Sequence, residues 1–210
     1  MSFLPATSLI TSIAELEALY TDPVSPAAQI KVLDHVSDHY RTFIEASPFM
    51  LLATVGPSGV DCSPRGDPPG FVRVADPKTL MIPDRRGNNR LDSLRNIVMD
   101  PRVHLLFLIP GVGETMRVIG RAVISADPDL CASFTMEGKA PRSVIIVTVE
   151  EVYPQCQKAL VRSKLWDPAI QIPRSALPSL GEILAAITKG GFDGKAYDQA
   201  YPERLKQTIY

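Results

Sequence analysis

The sequence predicts a mainly β domain in which six or seven short antiparallel strands form a small barrel, with helical segments at both ends. Between residues 48 and 150, short apolar runs alternate with tight turn signals, a pattern that is typical of barrels. The 19 prolines among 210 residues punctuate short elements and disfavour a helical bundle. The length suits one domain with a sizeable core, so we predict a single domain over residues 1–210.

The N-terminal segment, residues 1–47, is predicted to be helical. Ser12 is placed to cap a helix over residues 13–20, and two prolines interrupt the chain after it. From residue 27 to residue 46, apolar residues recur near the helical spacing, which predicts one further helix before the barrel begins.

The barrel segment, residues 48–150, contains the apolar runs that we interpret as strands. A Gly-Pro-Ser-Gly turn joins the first two runs as a hairpin. The predicted strands are 49–55, 60–65, 70–74, 80–83, 103–109, 114–125 and 143–149, with one helix inserted at 91–98. His104 falls inside an apolar strand and is therefore predicted to be a satisfied core residue. The C-terminal segment is predicted to return to helices, at 155–166, 180–187 and 201–210.

The composition disfavours several classes of protein. The net charge of −1 argues against bulk attraction to nucleic acid or to an anionic membrane. No apolar run reaches the roughly 20 residues that span a bilayer, and residues 1–7 lack the pattern of a signal peptide. Three scattered cysteines indicate reduced thiols in a cytoplasmic protein. His35 and His39 are spaced for metal binding, but without an HExxH pattern a plain helical face is favoured.

The strand predicted at 80–83 ends in an unusually polar loop, residues 82–90. The sequence Ile-Pro-Asp-Arg-Arg-Gly-Asn-Asn-Arg brings three arginines, two asparagines and a glycine together directly before the predicted helix. Glycine permits a tight turn, amides donate hydrogen bonds and guanidiniums supply forked positive charge, while a helix N-terminus attracts anions. A phosphate site is one interpretation of this loop. A solvated polar turn is the other, and the loop taken alone favours neither.

Three further segments place polar residues where a strand does not require them. Arg65 and Asp67 flank a glycine, so they would hold each other or a ligand; the alternative is a surface ion pair worth under about 1 kcal/mol. Thr115 and Arg117 share one strand face, where an inward arginine would need an anionic partner and an outward one would be a surface residue. The segment 156–166 combines three cations, a hydroxyl and the only tryptophan, which suits either an aromatic ligand with an anionic tail or a packed amphipathic helix.

The chain lacks the common motifs of side-chain catalysis and of nucleotide binding. It contains no GxSxG elbow, no GxxxxGK[ST] loop and no GxGxxG after a strand. No nucleophile with an adjacent base stands out either, so the catalytic residues stay unassigned. We therefore expect a bound cofactor, and not the side chains, to carry any chemistry.

Taken together, these motifs resemble a known family. Residues 80–125, with a strand, the Asp-Arg-Arg-Gly-Asn-Asn-Arg loop, a helix, an apolar strand and an Arg-Val-Ile-Gly-Arg-Ala strand, are similar to the pyridoxamine 5′-phosphate oxidase-like family of FMN-binding split barrels. With Ser-Pro-Arg-Gly-Asp at 63–67 and the Arg-Ser and Leu-Trp pairs within 162–166, the chain resembles one uncharacterised bacterial branch. The resemblance covers nearly the whole chain, residues 16–210.

The resemblance implies a homodimer with two FMN molecules in clefts at the subunit interface. The residues that it places at the FMN phosphate are Asn88, Asn89 and Arg90, with Arg85 and Arg86 beside them. The residues that it places along the ribityl chain and the isoalloxazine ring are Arg65, Asp67, Ile82 and Asp84. It places Thr115 and Arg117 on a strand that reaches the flavin from the second subunit. The residues that would close the same cleft are Arg162, Ser163 and Trp166.

The chain also departs from the family pattern in two places. It lacks the C-terminal arginine and histidine motif with which true pyridoxamine phosphate oxidases hold the vitamin, so that activity is not expected. Gln155 stands where this branch is expected to carry a histidine, so the role of that histidine in the family is not assigned to Gln155.

The function that the resemblance implies is that of an FMN-dependent oxidoreductase. Its flavin would exchange a hydride with NAD(P)H or a small organic substrate, and Arg65, Asp67 and Thr115 are the candidates for contacts near the ring. A non-catalytic protein that stores or senses a flavin or a haem-type ligand is the alternative. A third option is an empty site on a purely structural fold.

Overall fold

The computed structural model describes residues 9–210 of the chain. Residues 1–7, in which the sequence shows no signal-peptide pattern, lie outside the described residues. The described residues fall into two compact units, 9–32 and 33–210, and the prediction that all 210 residues form one domain stays a prediction. No helix within residues 9–210 has the length and apolar character needed to cross a membrane.

A seven-stranded antiparallel sheet dominates the unit 33–210, which confirms the predicted mainly β fold with flanking helices. The strands are β1 Phe49–Gly56, β2 Gly59–Gly66, β3 Arg73–Asp76, β4 Thr79–Pro83, β5 Arg102–Leu108, β6 Thr115–Ser125 and β7 Val144–Gln155. Their spatial order is β2-β1-β5-β6-β7-β4-β3. β7 continues six residues beyond the predicted end at Val149, because its antiparallel pairing with β6 extends to Thr115 opposite Gln155.

Eight α-helices lie within residues 9–210. They are α1 Ile13–Leu19, α2 Pro26–Ile30, α3 Asp38–Ala46, α4 Asp92–Met99, α5 Pro128–Ala132, α6 Lys158–Ser163, α7 Leu180–Ile187 and α8 Gly194–Thr208. Ser12 caps α1 as predicted, by accepting a hydrogen bond from the Glu15 main-chain N–H. α5 was not predicted, and α8 begins before the predicted residue 201 because Asp193 caps it.

The single helix predicted over residues 27–46 is wrong. The chain leaves the helical conformation after α2 and resumes it at α3, where Ser37 is the N-cap. Between the two helices, Leu33 forms a two-way backbone bridge with Val152 of β7 (N···O 3.0 and 2.8 Å). These backbone hydrogen bonds to the sheet replace the helical ones, so tertiary contact overrides the local periodicity.

Alternate residues of six strands form one apolar core together with α3 and α4. The strand members are Met50, Leu52, Val74, Leu80, Ile82, Val103, Leu105, Phe107, Met116, Val118, Ala122, Ile145, Val147, Val149 and Val152. A single core supplied by six strands requires the sheet to curve around it, as the predicted barrel does.

His104 is exposed, so its predicted place in the core is wrong. Its neighbours Val103 and Leu105 fill the core, and the two-residue period of a strand turns His104 to the opposite face. Apolar composition alone did not distinguish the two faces of β5.

Gly120 lies where the pairing of β6 and β7 shifts register. A Cβ atom at this position would lie 2.1 Å from the main-chain oxygen of Thr148. We expect Gly120→Ala to lower the free energy of unfolding by about 3 kcal/mol, as measured by urea denaturation. Gly87→Ala is the control, because a Cβ there meets no atom within 4 Å. Equal effects of the two changes would contradict the close-contact explanation.

Candidate functional site

A cleft of about 830 Å³ opens beside the end of β4, a volume within the range of cofactor pockets. β2 forms one wall, and the loop that joins β4 to α4 forms the floor with the start of the helix. The segment 139–143, which leads into β7, and Tyr210, which follows α8, complete the lining. All of these segments belong to the unit 33–210.

The cleft carries an excess of positive charge. The cationic residues that line it are Arg65, Arg85, Arg86, Arg90, Lys139 and Arg142. The carboxylates that line it are Asp84 and Asp92. Such a concentration of guanidinium groups favours an anionic ligand, and phosphate in particular.

The loop between β4 and α4 has a backbone suited to an anion. Asn89 and Leu91 both adopt left-handed conformations, with φ of 60° and 61°, and the Asn88 side chain accepts a hydrogen bond from the Arg90 main-chain N–H (3.0 Å). Leu91 is the N-cap of α4, and no side chain caps that helix. The N–H groups of its first turn therefore lack a side-chain cap, while Asp92 places one carboxylate in that turn.

Arg65 supplies a second indication of a ligand. Its Nη1 donates to Asp84 Oδ1 at 2.7 Å, which ties the end of β2 to the end of β4. Its Nε is buried and has no hydrogen-bond partner in the part of the chain that the structure describes. A buried donor without an acceptor costs about 1–3 kcal/mol, a cost that an oxygen atom of a ligand in the cleft would remove.

Arg85 and Asp67 hold each other at the side of the cleft. Arg85 Nε donates to Asp67 Oδ2 at 2.6 Å, and Arg85 Nη1 donates to the Phe134 carbonyl at 2.7 Å. The Asp67 side chain is only 1 % exposed, and its second oxygen accepts the Tyr210 hydroxyl at 2.7 Å. That bond to Asp67 raises the pKa of the Tyr210 phenol. Both predicted residues therefore shape the wall through contacts within the protein.

The remaining cations of the cleft differ in whether another residue of the chain binds them. Arg90 pairs with Asp92 at 2.8 Å, and this hydrogen bond raises the pKa of the Arg90 guanidinium. Lys139 donates to the Tyr210 carbonyl at 3.0 Å. Arg86 and Arg142 are exposed and make no ion pair or hydrogen bond within residues 9–210, so their charges are available to a ligand.

A hydroxyl network joins β2 to the start of α4 beneath the cleft. Ser63 and Ser93 both donate to Asp61 Oδ2, at 3.1 and 3.0 Å, and both line the cleft. Sequence reasoning did not place Ser93, Lys139, Arg142 or Tyr210 in the site. The one local signal in the sequence was the Glu-Gly turn at 137–138, which is followed by the two cations Lys139 and Arg142.

Several predicted site residues do not line this cleft. Ile82 is fully buried in the core. Thr115 and Arg117 lie on the face of β6 opposite the core residues Met116 and Val118, so Arg117 does not point inward. Its guanidinium instead lies 5.5 Å from the Tyr153 ring centre.

The three residues predicted from the segment 156–166 also lie outside the cleft of their own chain. Arg162 and Ser163 are at the exposed end of α6. Trp166 is fixed by a hydrogen bond from its Nε1 to the Val112 carbonyl at 2.8 Å.

A family model described as pyridoxamine 5′-phosphate oxidase matches residues 36–156, more than half of the chain. The chain belongs to the pyridoxamine 5′-phosphate oxidase family. The match spans α3, all seven strands and α4, and so includes the loop between β4 and α4. A search of curated proteins found no significant match.

Solved structures similar to this member of the pyridoxamine 5′-phosphate oxidase family share little sequence with it. HupZ of Group A Streptococcus is 17% identical with a TM-score of 0.47, over 58% of this chain and 94% of that one. An F420 reductase is 20% identical with a TM-score of 0.43, over 56% and 98%. General Stress Protein 26 from Bacillus anthracis is 18% identical with a TM-score of 0.41, over 54% and 88%.

Proposed function

We propose that the chain is an FMN-dependent oxidoreductase that holds the flavin phosphate at the loop between β4 and α4. Members of the family generally bind flavin. The single observation that supports the proposal most directly is the cationic cleft at an uncapped helix N-terminus. FMN carries a phosphate dianion, which suits both features.

The residues of the cleft fit such a ligand. Arg86 and Arg142 would hold the phosphate, since neither is engaged within residues 9–210, and the N-terminus of α4 would add its dipole. The orphaned Nε of Arg65 would donate to an oxygen or nitrogen acceptor of the ligand. When bound, FMN supplies a ring that accepts and returns a hydride.

We also propose that the active form is a homodimer, in line with a family whose members are commonly dimeric. Thr115, Arg117 and Trp166 lie away from the cleft of their own chain, so a second subunit would be needed to bring them to the flavin.

The proposal predicts yellow protein that prefers FMN to riboflavin by about a hundredfold or more, since charge-assisted bonds to the phosphate add about 1.5–3 kcal/mol each. Fluorescence titration of the ligand-free protein measures both affinities. Light scattering of the loaded protein should give twice the 22.9 kDa chain mass. Protein that binds neither flavin after reconstitution would overturn the proposal.

Turnover is tested separately from binding. NADPH or NADH should bleach the bound flavin under anaerobic conditions, because a hydride donor reduces the ring. FMN-loaded protein that neither nucleotide nor a panel of small organic reductants bleaches would favour the storage or sensing alternative.

A further inference from the structure

Tyr210 lines the cleft and is held by two hydrogen bonds. Its hydroxyl donates to Asp67, which follows β2, and its carbonyl accepts from Lys139, in the segment before β7. Lys139 and Tyr210 line the cleft, and Asp67 lies beside it, where it holds Arg85 of the lining. Tyr210, the second residue after α8, therefore connects the segment after β2 to the segment before β7.

The chain around Tyr210 has little else to hold it in place. Residues 201–207 are exposed to solvent, and Ile209 is 53% exposed. An exposed helix end with few buried apolar contacts opens at low free energy unless polar groups restrain it. The hydrogen bonds of Tyr210 are such restraints.

The bond to Asp67 is the stronger of the two restraints. Asp67 is an almost fully buried carboxylate that can only accept hydrogen bonds, and Arg85 takes its other oxygen. The Arg85 guanidinium also lies 5.5 Å from the Tyr210 ring centre, which adds a cation–π contact. Opening this residue would leave one oxygen of a buried carboxylate without its donor, so the closed position is favoured.

We propose that Tyr210 is a ligand-retaining residue, which closes the cleft and sets the rates at which a phosphate-bearing ligand enters and leaves. This inference rests on the proposed function, in which that ligand is FMN. Tyr210 acts on exchange because its two hydrogen bonds keep it in the lining of the cleft. A residue that only contacts the ligand would slow its departure without slowing its entry.

The test compares Tyr210→Phe with the wild type by stopped-flow fluorescence, with FMN as the probe. We expect the dissociation and association rate constants both to rise by about tenfold, since a hydrogen bond to a charged group shifts an opening equilibrium by about that factor or more. The dissociation constant should change much less than either rate. Tyr201→Phe is the control, because Tyr201 is on α8, which ends just before Tyr210, and it is exposed and lies outside the cleft lining.

A second measurement does not depend on FMN. Hydrogen exchange of the amides at 204–210 in ligand-free protein should rise about tenfold in Tyr210→Phe, while exchange in β6 and β7 stays the same. Unchanged exchange, unchanged rates, or a rise in the dissociation rate alone would each overturn the closing role. Wild-type protein that binds no FMN would overturn the proposed function instead, and the exchange result would still decide whether Tyr210 holds the segment closed.

Discussion

Replacing Asp67 by alanine should lower the free energy of unfolding by about 3–5 kcal/mol. The carboxylate is 1% exposed and receives hydrogen bonds from Arg85 and from Tyr210. Without it, the Arg85 guanidinium, which is 16% exposed, would have no counterion and would keep one hydrogen bond, to the Phe134 carbonyl. A largely buried cation that loses its counterion is one of the few causes of so large a change.

Asp34→Ala is the matched control for this prediction. Asp34 also pairs with a cation, Lys78 at 2.9 Å, but its side chain is 75% exposed. Solvent screens such a pair, so the change should cost much less than Asp67→Ala. Urea denaturation at neutral pH measures both variants. If both substitutions lower the free energy of unfolding by the same amount, burial is not the reason for the effect of Asp67→Ala.

Asp67 also shows which parts of the site could be predicted from the sequence. The neighbouring Arg65 and Asp67 were expected to hold each other or a ligand, yet each pairs with a residue of the loop after β4, 18 or 19 positions away. Only the pairing of β4 and β7 and the curvature of the sheet bring that loop to the end of β2. Such distances are set by topology, which local spacing does not contain.

Local patterns were reliable where the local chain decides the outcome. The β1–β2 hairpin, the loop before α4 and α7 lie where their turn signals and apolar periodicity indicated. Tyr210 could not be predicted in the same way, because 143 residues separate it from Asp67. His104 and Arg117 show a further limit, since an alternating strand does not reveal which of its faces is buried.

The combined change of Arg86→Gln with Arg142→Gln should weaken FMN binding by about a hundredfold. Each arginine would lose a charge-assisted contact worth about tenfold at an exposed site. The other cleft arginines are unsuitable for this test, because removing Arg65 would leave Asp84 without its partner and removing Arg90 would do the same to Asp92. Arg86 and Arg142 have no such partner within residues 9–210, so the fold should be unaffected.

Three further titrations show whether the two arginines contact the phosphate or whether the double change weakens the site as a whole. Riboflavin, which lacks the phosphate, should bind the double variant as it binds the wild type. The salt dependence of FMN binding should become shallower, because fewer charges remain to be screened. Arg95→Gln removes an exposed arginine of α4 that does not line the cleft, and it should leave FMN affinity within about twofold of wild type. If FMN and riboflavin binding weaken equally, the two arginines do not contact the phosphate. The proposed phosphate position at the N-terminus of α4 would then be wrong.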